Sequence, residues 1–235
     1  MTAAKRDLLR LAGFIALICA AIVFAADVIM LGLPVSGAAS PDYRNLLEIA
    51  EWRLRLGSYG AFVIPFFVIG VWQLYEGIKP AGAWWSIPPF LLLSNFFING
   101  AIYHYLFPFI GAAIKAQAQL RGVDNDVVGT LVQTMLDYLR VPYYLLLGSL
   151  ILGSLWFAAA ILLRPTYFPH WMALLSPAFP IGAAFHFTSI LPAPIGGYLF
   201  PPLVHLATPF IFGASTVLLW NVEGDFLEKS ARNIL

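Results

Sequence analysis

The sequence predicts an all-α fold, a polytopic membrane bundle of six transmembrane helices. Apolar residues make up 60% of the 235 residues and charged residues only 11%, against roughly 45–50% and 25% in typical soluble proteins. A soluble domain of this size cannot bury so much apolar surface, whereas a lipid bilayer removes the need to bury it. The second observation is that six apolar segments of about 20 residues or more follow one another, joined by links that contain Pro or Gly.

Each apolar segment is long enough to cross the bilayer as a helix, the conformation that satisfies its own backbone groups in lipid. The predicted spans are residues 9–33, 57–77, 84–114, 142–163, 171–190 and 198–221. They form three successive hairpins and are followed by a C-terminal tail at 222–235. We therefore treat residues 1–235 as a single integral membrane domain.

Two links between the spans have a different pattern. Residues 41–55 and 127–140 interleave apolar and polar or charged side chains with helical spacing. This pattern is typical of amphipathic helices that lie at a membrane surface. Because each link follows an odd-numbered span, both surface helices are expected on the same side of the membrane.

The charged residues predict an orientation and exclude some partners. Lys5, Arg6 and Arg10 precede the first span, and basic residues favour the cytoplasmic side, so both termini are predicted to be cytoplasmic in a cell membrane. The first apolar segment is too long for a cleaved signal peptide. A net charge of +1 without a Lys/Arg-rich run excludes a nucleic-acid partner. The only cysteine, Cys19, permits neither an intrachain disulfide nor a Cys-based metal motif.

Four ionisable residues lie inside predicted spans, where a polar group is costly and needs a reason. Asp27, His104, His186 and His205 belong to four different spans. Counting about 1.5 Å per residue from the helix ends puts Asp27, His186 and His205 about 9–10 Å below the surface that carries the amphipathic helices. His104 is at a similar or slightly greater depth. We therefore predict a polar layer there, with Asp27, His186 and His205 around one cavity, and assign catalytic roles to all four.

The chemistry of this layer has three interpretations. A carboxylate and three imidazoles are possible zinc ligands. They can also act without a metal as general acid and base, or only form hydrogen bonds between helices. No HxxxH, HExxH or HxxE pattern places two ligands on one helix face. We therefore expect no cofactor, with zinc as the alternative.

Aromatic and acidic side chains near the same layer are the predicted substrate-binding residues. They are Tyr103, Tyr143, Tyr144, Tyr198 and Glu51. The alternative for the tyrosines is the aromatic belt of a membrane interface. The alternative for Glu51 is the water-facing side of an interfacial helix.

Several stretches resemble a family of uncharacterised bacterial six-helix membrane proteins. They are ADVIMLG at 26–32, VIGVWQLYEGIKP at 68–80, NGAIYHYLFPFIGAA at 99–113, LPAPIGGYLFPP at 191–202 and STVLLW at 215–220. The resemblance implies six spanning helices in a bacterial inner membrane. It brings no assigned activity, cofactor or catalytic residue.

Two classes of function fit these observations. The first is a membrane enzyme that cyclises, isomerises or hydrates a double bond of a lipid or isoprenoid, with Asp27 as general acid or base and the histidines as proton relays. Aromatic residues form 15% of the chain, and aromatic faces stabilise cationic intermediates. The second class is a non-enzymatic membrane protein that binds, senses or transports a small apolar ligand. A common cavity around the ionisable residues would favour the first class.

Overall fold

The computed structural model describes residues 2–40, 43–120 and 123–220 of the chain. All secondary structure within these residues is helical. The α-helices are α1 (Ala3–Leu31), α2 (Glu51–Ser58), α3 (Phe67–Ile78), α4 (Ala83–Gln119), α5 (Val123–Leu163), α6 (Ala178–Ser189), α7 (Ile195–Leu199) and α8 (Leu203–Leu219). Short 3₁₀ turns include Tyr43–Leu47, Tyr59–Phe62, Ile64–Phe66 and His170–Leu175. The predicted tail at 222–235 lies outside the described residues.

Four helical segments are long and apolar enough to cross a membrane. They are Ala3–Leu31, Glu51–Ala81, Ala83–Gln119 and Asp126–Leu163, and they correspond to the first four predicted spans, of which the first was predicted two residues too long at its end. The fifth and sixth predicted spans are shorter helices interrupted at prolines. A 3₁₀ turn and Pro177 precede α6, and Pro201 and Pro202 separate α7 from α8, because proline cannot donate the backbone hydrogen bond that a continuous helix needs. The described fold is thus all-helical, with four helices that are long and apolar enough to span a membrane, as in a membrane protein.

Neither predicted surface helix has the predicted bounds. In the first segment a 3₁₀ turn at Tyr43–Leu47 is followed by α2 from Glu51, and residues 41 and 42 lie outside the described residues. Residues 51–58 continue through two 3₁₀ turns into α3, and residues 127–140 are the first half of the 41-residue helix α5. Amphipathic spacing predicts a helix but does not predict where it ends. Pro142 lies inside α5 without ending it. The prediction of a separate helix at 127–140 is therefore wrong.

Helices α4 and α5 are longer than a bilayer is thick. They contain 37 and 41 residues and are therefore about 56 and 62 Å long, roughly twice the 30 Å of a hydrocarbon core. The two helices pack against each other as an antiparallel pair. Part of this pair must extend beyond a bilayer of ordinary thickness.

Helix α1 has two contrasting faces. Its exposed face carries large apolar side chains, as expected for contact with lipid: Leu8, Leu11, Phe14, Ile18 and Ile22. Its buried face carries Ala12, Ala16 and Ala20, small residues that allow close helix packing in a membrane. A Cβ atom added at Gly70 of α3 would lie 2.7 Å from Ala16 Cβ and 2.7 Å from Phe212 Cε1. These small residues therefore set the close approach of α1, α3 and α8.

We call the end of the bundle where α1 begins the basal end, defined by Lys5, Glu76 and Lys79. The Glu76 carboxylate is 2.6 Å from Lys5 Nζ and 3.3 Å from Lys79 Nζ. Nearby, buried Gln73 donates to the Leu9 carbonyl at 2.9 Å. These contacts attach the start of α1 to the end of α3.

The opposite end is held by direct backbone contacts. Gly197 N–H donates to the Val35 carbonyl at 2.8 Å, Leu33 N–H donates to the Gly197 carbonyl at 3.2 Å, and Gly37 N–H donates to the Leu191 carbonyl at 3.0 Å. A side-chain atom at Gly37 or Gly197 would overlap a backbone oxygen of the opposing segment. Glycine at these positions therefore lets the link after α1 and the link between α6 and α8 meet.

Candidate functional site

A cavity of about 910 Å³ lies between α1, α4, α5, α6 and α8. Most of its lining is apolar or aromatic, with Phe96, Phe97 and Phe107 contributed by α4. Asp27, His104 and His205 also line it. A large apolar cavity with a few convergent polar groups is the usual form of a small-molecule site.

The polar group of the cavity is centred on Asp27. Its Oδ1 atom is 2.7 Å from His104 Nε2, and its Oδ2 atom is 3.6 Å from His205 Nε2. The first distance is a short hydrogen bond, and the second is too long for one but close enough for electrostatic interaction. Asp27 is only 5% exposed, and each histidine is 7% exposed. One buried carboxylate thus interacts with two buried imidazoles, which we call the Asp27 triad.

Local packing holds the members of the Asp27 triad in place. A Cβ atom added at Gly60 would lie 2.7 Å from Ala26 Cβ and 3.2 Å from His104 Cε1. The missing side chain of Gly60 therefore leaves room for the His104 ring beside α1. The His205 ring stacks on Phe67, with ring centroids 5.4 Å apart and ring planes 14° apart. Each imidazole thus has a fixed orientation toward Asp27.

The two imidazoles each keep one nitrogen without a partner. His104 Nδ1 and His205 Nδ1 are buried and form no hydrogen bond within the described part of the chain. If the carboxylate accepts a hydrogen bond from a protonated Nε2, the Nδ1 atom of the same ring carries no proton and can act as a base. When that nitrogen gains a proton, the carboxylate stabilises the resulting imidazolium. The arrangement can therefore take up and release a proton.

A pair of tyrosines also lines the cavity. The Tyr43 and Tyr103 hydroxyls are 2.8 Å apart, and the Tyr103 ring lies 5.8 Å from the Tyr143 ring. The sequence prediction included Tyr103 and Tyr143 but missed Tyr43. Tyr43 comes from a 3₁₀ turn in a link, and no periodic pattern in the sequence distinguishes it from other interfacial tyrosines.

Of the four residues predicted to be catalytic, the structure brings three together and leaves one apart. His186 is exposed and does not line the cavity. The prediction of one cavity around Asp27, His186 and His205 is therefore wrong for His186. Depth along a helix does not determine which way a side chain points. On α6 the cavity is lined by Ala178, Ile181, Gly182 and Phe185, and His186 is roughly a quarter turn from the centre of that stripe.

Three residues predicted to bind substrate also lie away from the cavity. Tyr144 is exposed and directly follows the lining residue Tyr143, about 100° around α5. Tyr198 packs against Gly32 outside the cavity lining. The exposed Glu51 forms an ion pair with Arg55 at 2.7 Å, as expected for the polar face of a surface segment. These three assignments are therefore corrected.

The arrangement of the polar side chains gives no support to zinc binding. Within the residues that the structure describes, no group of three or more His, Cys, Asp or Glu side chains is placed to hold a metal ion. In particular, His104 and His205 both direct Nε2 toward Asp27.

The cavity lining includes exposed side chains at both of its ends. At one end it is lined by polar side chains, and we call this end the rim: Ser40, Asn45, Gln133 and Arg140. At the other end it is lined by apolar residues of α5 and α6, which we call the slot: Leu147, Ile151, Ile181, Gly182 and Phe185. Gln133 and Arg140 at the rim and Ile151 and Phe185 at the slot are exposed, and so is Tyr143 between them.

Fold and site together define a helical protein of membrane type with a buried acid–base group beside an apolar cavity. The model of one family, described as a family of unknown function (DUF6796), matches residues 5–221. The chain therefore belongs to this family. No curated protein and no solved structure matches the sequence. The family description assigns no activity, so the function is inferred from the site itself.

Proposed function

We propose that this protein is a six-span integral membrane enzyme that transfers a proton to and from carbon in a lipid or isoprenoid bound in the cavity. The observation that carries the proposal is the Asp27 triad. It combines a buried carboxylate with two imidazoles beside a cavity of about 910 Å³. Ionisable groups buried within a spanning bundle are costly and mark functional sites by default.

Contacts between helix ends support six crossings. Arg10 of α1 donates to the Trp220 carbonyl at 2.8 Å, which places the end of α8 at the basal end. The bond from Gly37 to Leu191 places the end of α6 at the opposite end. Residues 170–189 and 195–219 therefore run in opposite directions between the same two ends, as two interrupted spans would. The basic residues before α1 favour cytoplasmic termini in a cell membrane.

The proposed reaction begins when an imidazolium of the Asp27 triad gives its proton to one carbon of a C=C double bond. The π electron pair forms the new C–H bond, and the neighbouring carbon becomes cationic. The Asp27 carboxylate stabilises the imidazolium beforehand, and the aromatic rings of Phe96 and Phe97 stabilise the cation. The mostly apolar lining limits the access of bulk water to the cation.

The fate of the cation distinguishes the three reaction types. In an isomerase, the second imidazole removes a proton from an adjacent carbon and the double bond moves. In a hydratase, a water molecule adds to the cation and gives up a proton to the imidazole. In a cyclase, a second double bond attacks the cation before the proton is lost. Each route needs only a base and an acid, and neither a metal nor a redox cofactor takes part.

All three routes share one measurable signature, which is the transfer of a solvent proton to carbon. The purified protein is reconstituted in vesicles of bacterial polar lipids supplemented with polyisoprenols and incubated in D₂O. Mass spectrometry of the extracted lipids should then show deuterium on carbon, which does not wash out in H₂O. Protein-free vesicles give the background. If the wild-type protein adds no deuterium to any lipid above that background, the enzymatic proposal fails.

The alternative function is non-enzymatic binding or sensing of an apolar ligand. It is favoured by the shape of the cavity, which is lined mostly by apolar side chains that have no reactive group. In that case native mass spectrometry would detect a bound lipid, while the D₂O experiment would stay at background. The two measurements together therefore separate the two classes.

A further inference from the structure

We infer that the ligand is a single-chain amphipathic lipid with an uncharged polar end, and that it enters the cavity sideways from the bilayer through the slot between α5 and α6. This inference names the ligand class of the proposed function and rests on it. Three observations carry it, namely the length of the cavity, the distribution of polar groups along it and the opening between the two helices.

The cavity is elongated along α5. Its lining extends on this helix from Gln133 to Ile151, which corresponds to about 27 Å of helix. The contact between Tyr103 and Tyr143 puts neighbouring His104 near the level of Tyr143. Along α5 the level of the Asp27 triad therefore lies about 15 Å from Gln133 at the far end of the rim and about 12 Å from Ile151 at the far end of the slot, with Arg140 of the rim only about 5 Å away. A compact ligand would leave much of this length empty, whereas a chain would fill it.

Polar groups line the cavity from the rim to the Asp27 triad but not the slot. The rim offers hydroxyl, amide and guanidinium groups, whereas the slot offers only apolar side chains. A ligand that matches both ends has a polar end at the rim and a hydrocarbon chain in the slot. Its middle then passes the Asp27 triad, where a double bond in the chain would meet the two imidazoles.

The charges at the rim favour an uncharged polar end. Arg140 Nη1 is 3.0 Å from Asp137 Oδ1, and Gln133 Nε2 donates to the same oxygen at 3.1 Å. The guanidinium at the rim is thus already neutralised by a carboxylate one turn away. A hydroxyl or carbonyl group can accept hydrogen bonds here, whereas a phosphate would face Asp137 as a like charge.

The slot is an opening between two helices of the proposed membrane bundle. Helices α5 and α6 contact each other only sparsely, and a Cβ atom added at Gly182 would have no neighbour within 4 Å. The slot lies about 12 Å farther along α5 than the Asp27 triad, away from the rim. At that depth the surroundings of the bundle are hydrocarbon, so the slot connects the cavity directly with lipid chains.

The test uses a long-chain alcohol with a diazirine at the end of its chain, dissolved in vesicles that contain the wild-type protein. After illumination, peptide mass spectrometry locates the labelled residues. We expect labels on buried residues that line the cavity behind the slot, such as Leu150 and Ile181. The phosphate monoester of the same alcohol should label them at least several-fold less. Labels confined to the outer lipid-facing surface would overturn the inference. Equal or stronger labelling by the phosphate monoester would contradict the proposal that the polar end of the ligand is uncharged.

Two glycine variants test the route. In Gly182→Phe the new ring has free space and closes the slot, so labelling inside the cavity should fall about tenfold or more. Gly213 of α8 also has no neighbour within 4 Å of an added Cβ atom and does not line the cavity. The diazirine alcohol should therefore label the Gly213→Phe variant as strongly as the wild-type protein. Undiminished labelling in Gly182→Phe, or a loss in Gln133→Trp instead, would mean that the ligand enters at the rim.

These results are separable from the test of the enzymatic function. Slot labelling without deuterium transfer would disprove catalysis and leave the route intact. Deuterium transfer without slot labelling would disprove the route and leave catalysis intact. If Gly182→Phe does not fold, the positions labelled in the wild-type protein still decide the inference.

Discussion

Among the residues that the structure describes, two carboxylates are buried, one toward each end of the bundle, and their surroundings differ. Glu76 is 6% exposed and Asp27 is 5% exposed. Each lies near two basic groups, with Glu76 between Lys5 and Lys79 and Asp27 between two histidines. The lysine side chains are 36% and 50% exposed, whereas both histidines are buried. Only Asp27 lines the cavity.

The comparison shows that a buried ion pair is not by itself a functional site. A lysine ammonium donates hydrogen bonds but accepts none, so Glu76 and its partners form a fixed connection between α1 and α3. An imidazole can both donate and accept a proton. In addition, the Asp27 triad lines a cavity in which a ligand can reach its imidazoles. A candidate site therefore differs from a structural contact in two ways: the basic partner of the carboxylate can exchange a proton, and a cavity lies beside it.

Replacing each carboxylate by its amide should give the largest difference between the two ends. Asp27→Asn removes the charge that orients and stabilises the imidazolium, and we expect deuterium transfer to fall about 100-fold or more. Glu76→Gln should leave the transfer rate within about twofold, because Glu76 is at the opposite end, and should lower the midpoint of thermal unfolding in detergent. Equal losses of transfer in the two variants would show that Asp27 also has only a structural role.

The two histidines should differ from each other. His104 is hydrogen-bonded to Asp27 at 2.7 Å, whereas His205 is 3.6 Å away. We expect His104→Gln to lower deuterium transfer about 100-fold and His205→Gln about tenfold, a difference of about 1.4 kcal/mol in activation free energy. His186→Gln is the matched control and should leave the rate unchanged. A loss in the control as large as that in His104→Gln would contradict the site.

Two glycines test how packing supports each end. Gly60→Ala places a methyl group 3.2 Å from His104 Cε1, and the displaced ring should reduce deuterium transfer about tenfold. Gly13→Ala places a methyl group 2.7 Å from Gln73 Nε2 and in overlap with Thr216. It should destabilise the protein by about 1–3 kcal/mol while the folded fraction keeps its activity. Thermal unfolding and D₂O assays on the same samples distinguish the two effects.

The smallest effects are expected for the lysines of the basal end. Lys79→Gln should cost about 0.2–1 kcal/mol, as for exposed ion pairs. Lys5→Gln should cost more, because Lys5 is nearer to Glu76 and less exposed. Thermal unfolding midpoints in one detergent at low and high salt provide the comparison. If Lys79→Gln lowers the unfolding midpoint more than Lys5→Gln does, the predicted ranking of the two ion pairs is wrong.

The sequence predicted the helices better than their ends. Apolar composition located the four long spanning segments, because the need to satisfy backbone groups in lipid depends only on a run of apolar residues. The same pattern did not show that α5 is continuous from Val123 to Leu163, since Pro142 can either end or bend a helix. It also did not show the interruptions before α6 and α8, where the helix breaks depend on packing.

For the candidate site, counting residues along the helices predicted the depth of the ionisable side chains but not the direction in which they point. Counting residues from the helix ends brought Asp27, His104 and His205 to one layer, and these three do meet. His186 was predicted in the same layer but is exposed and lies within one turn of the end of α6. Tyr43 joins the cavity through a 3₁₀ turn, and a chain segment without helical periodicity offers no rule for where its side chains point.

The backbone contacts between the link after α1 and the link before α8 have a consequence for saturation mutagenesis. Added side-chain atoms at Gly37, Gly196 and Gly197 would all overlap backbone atoms, so no substitution should be tolerated at these positions. In a map of mutational tolerance, these three glycines would be as sensitive as the Asp27 triad although they have no part in the proposed chemistry. Protein abundance distinguishes the two, because glycine variants should disappear from the membrane while Asp27→Asn remains.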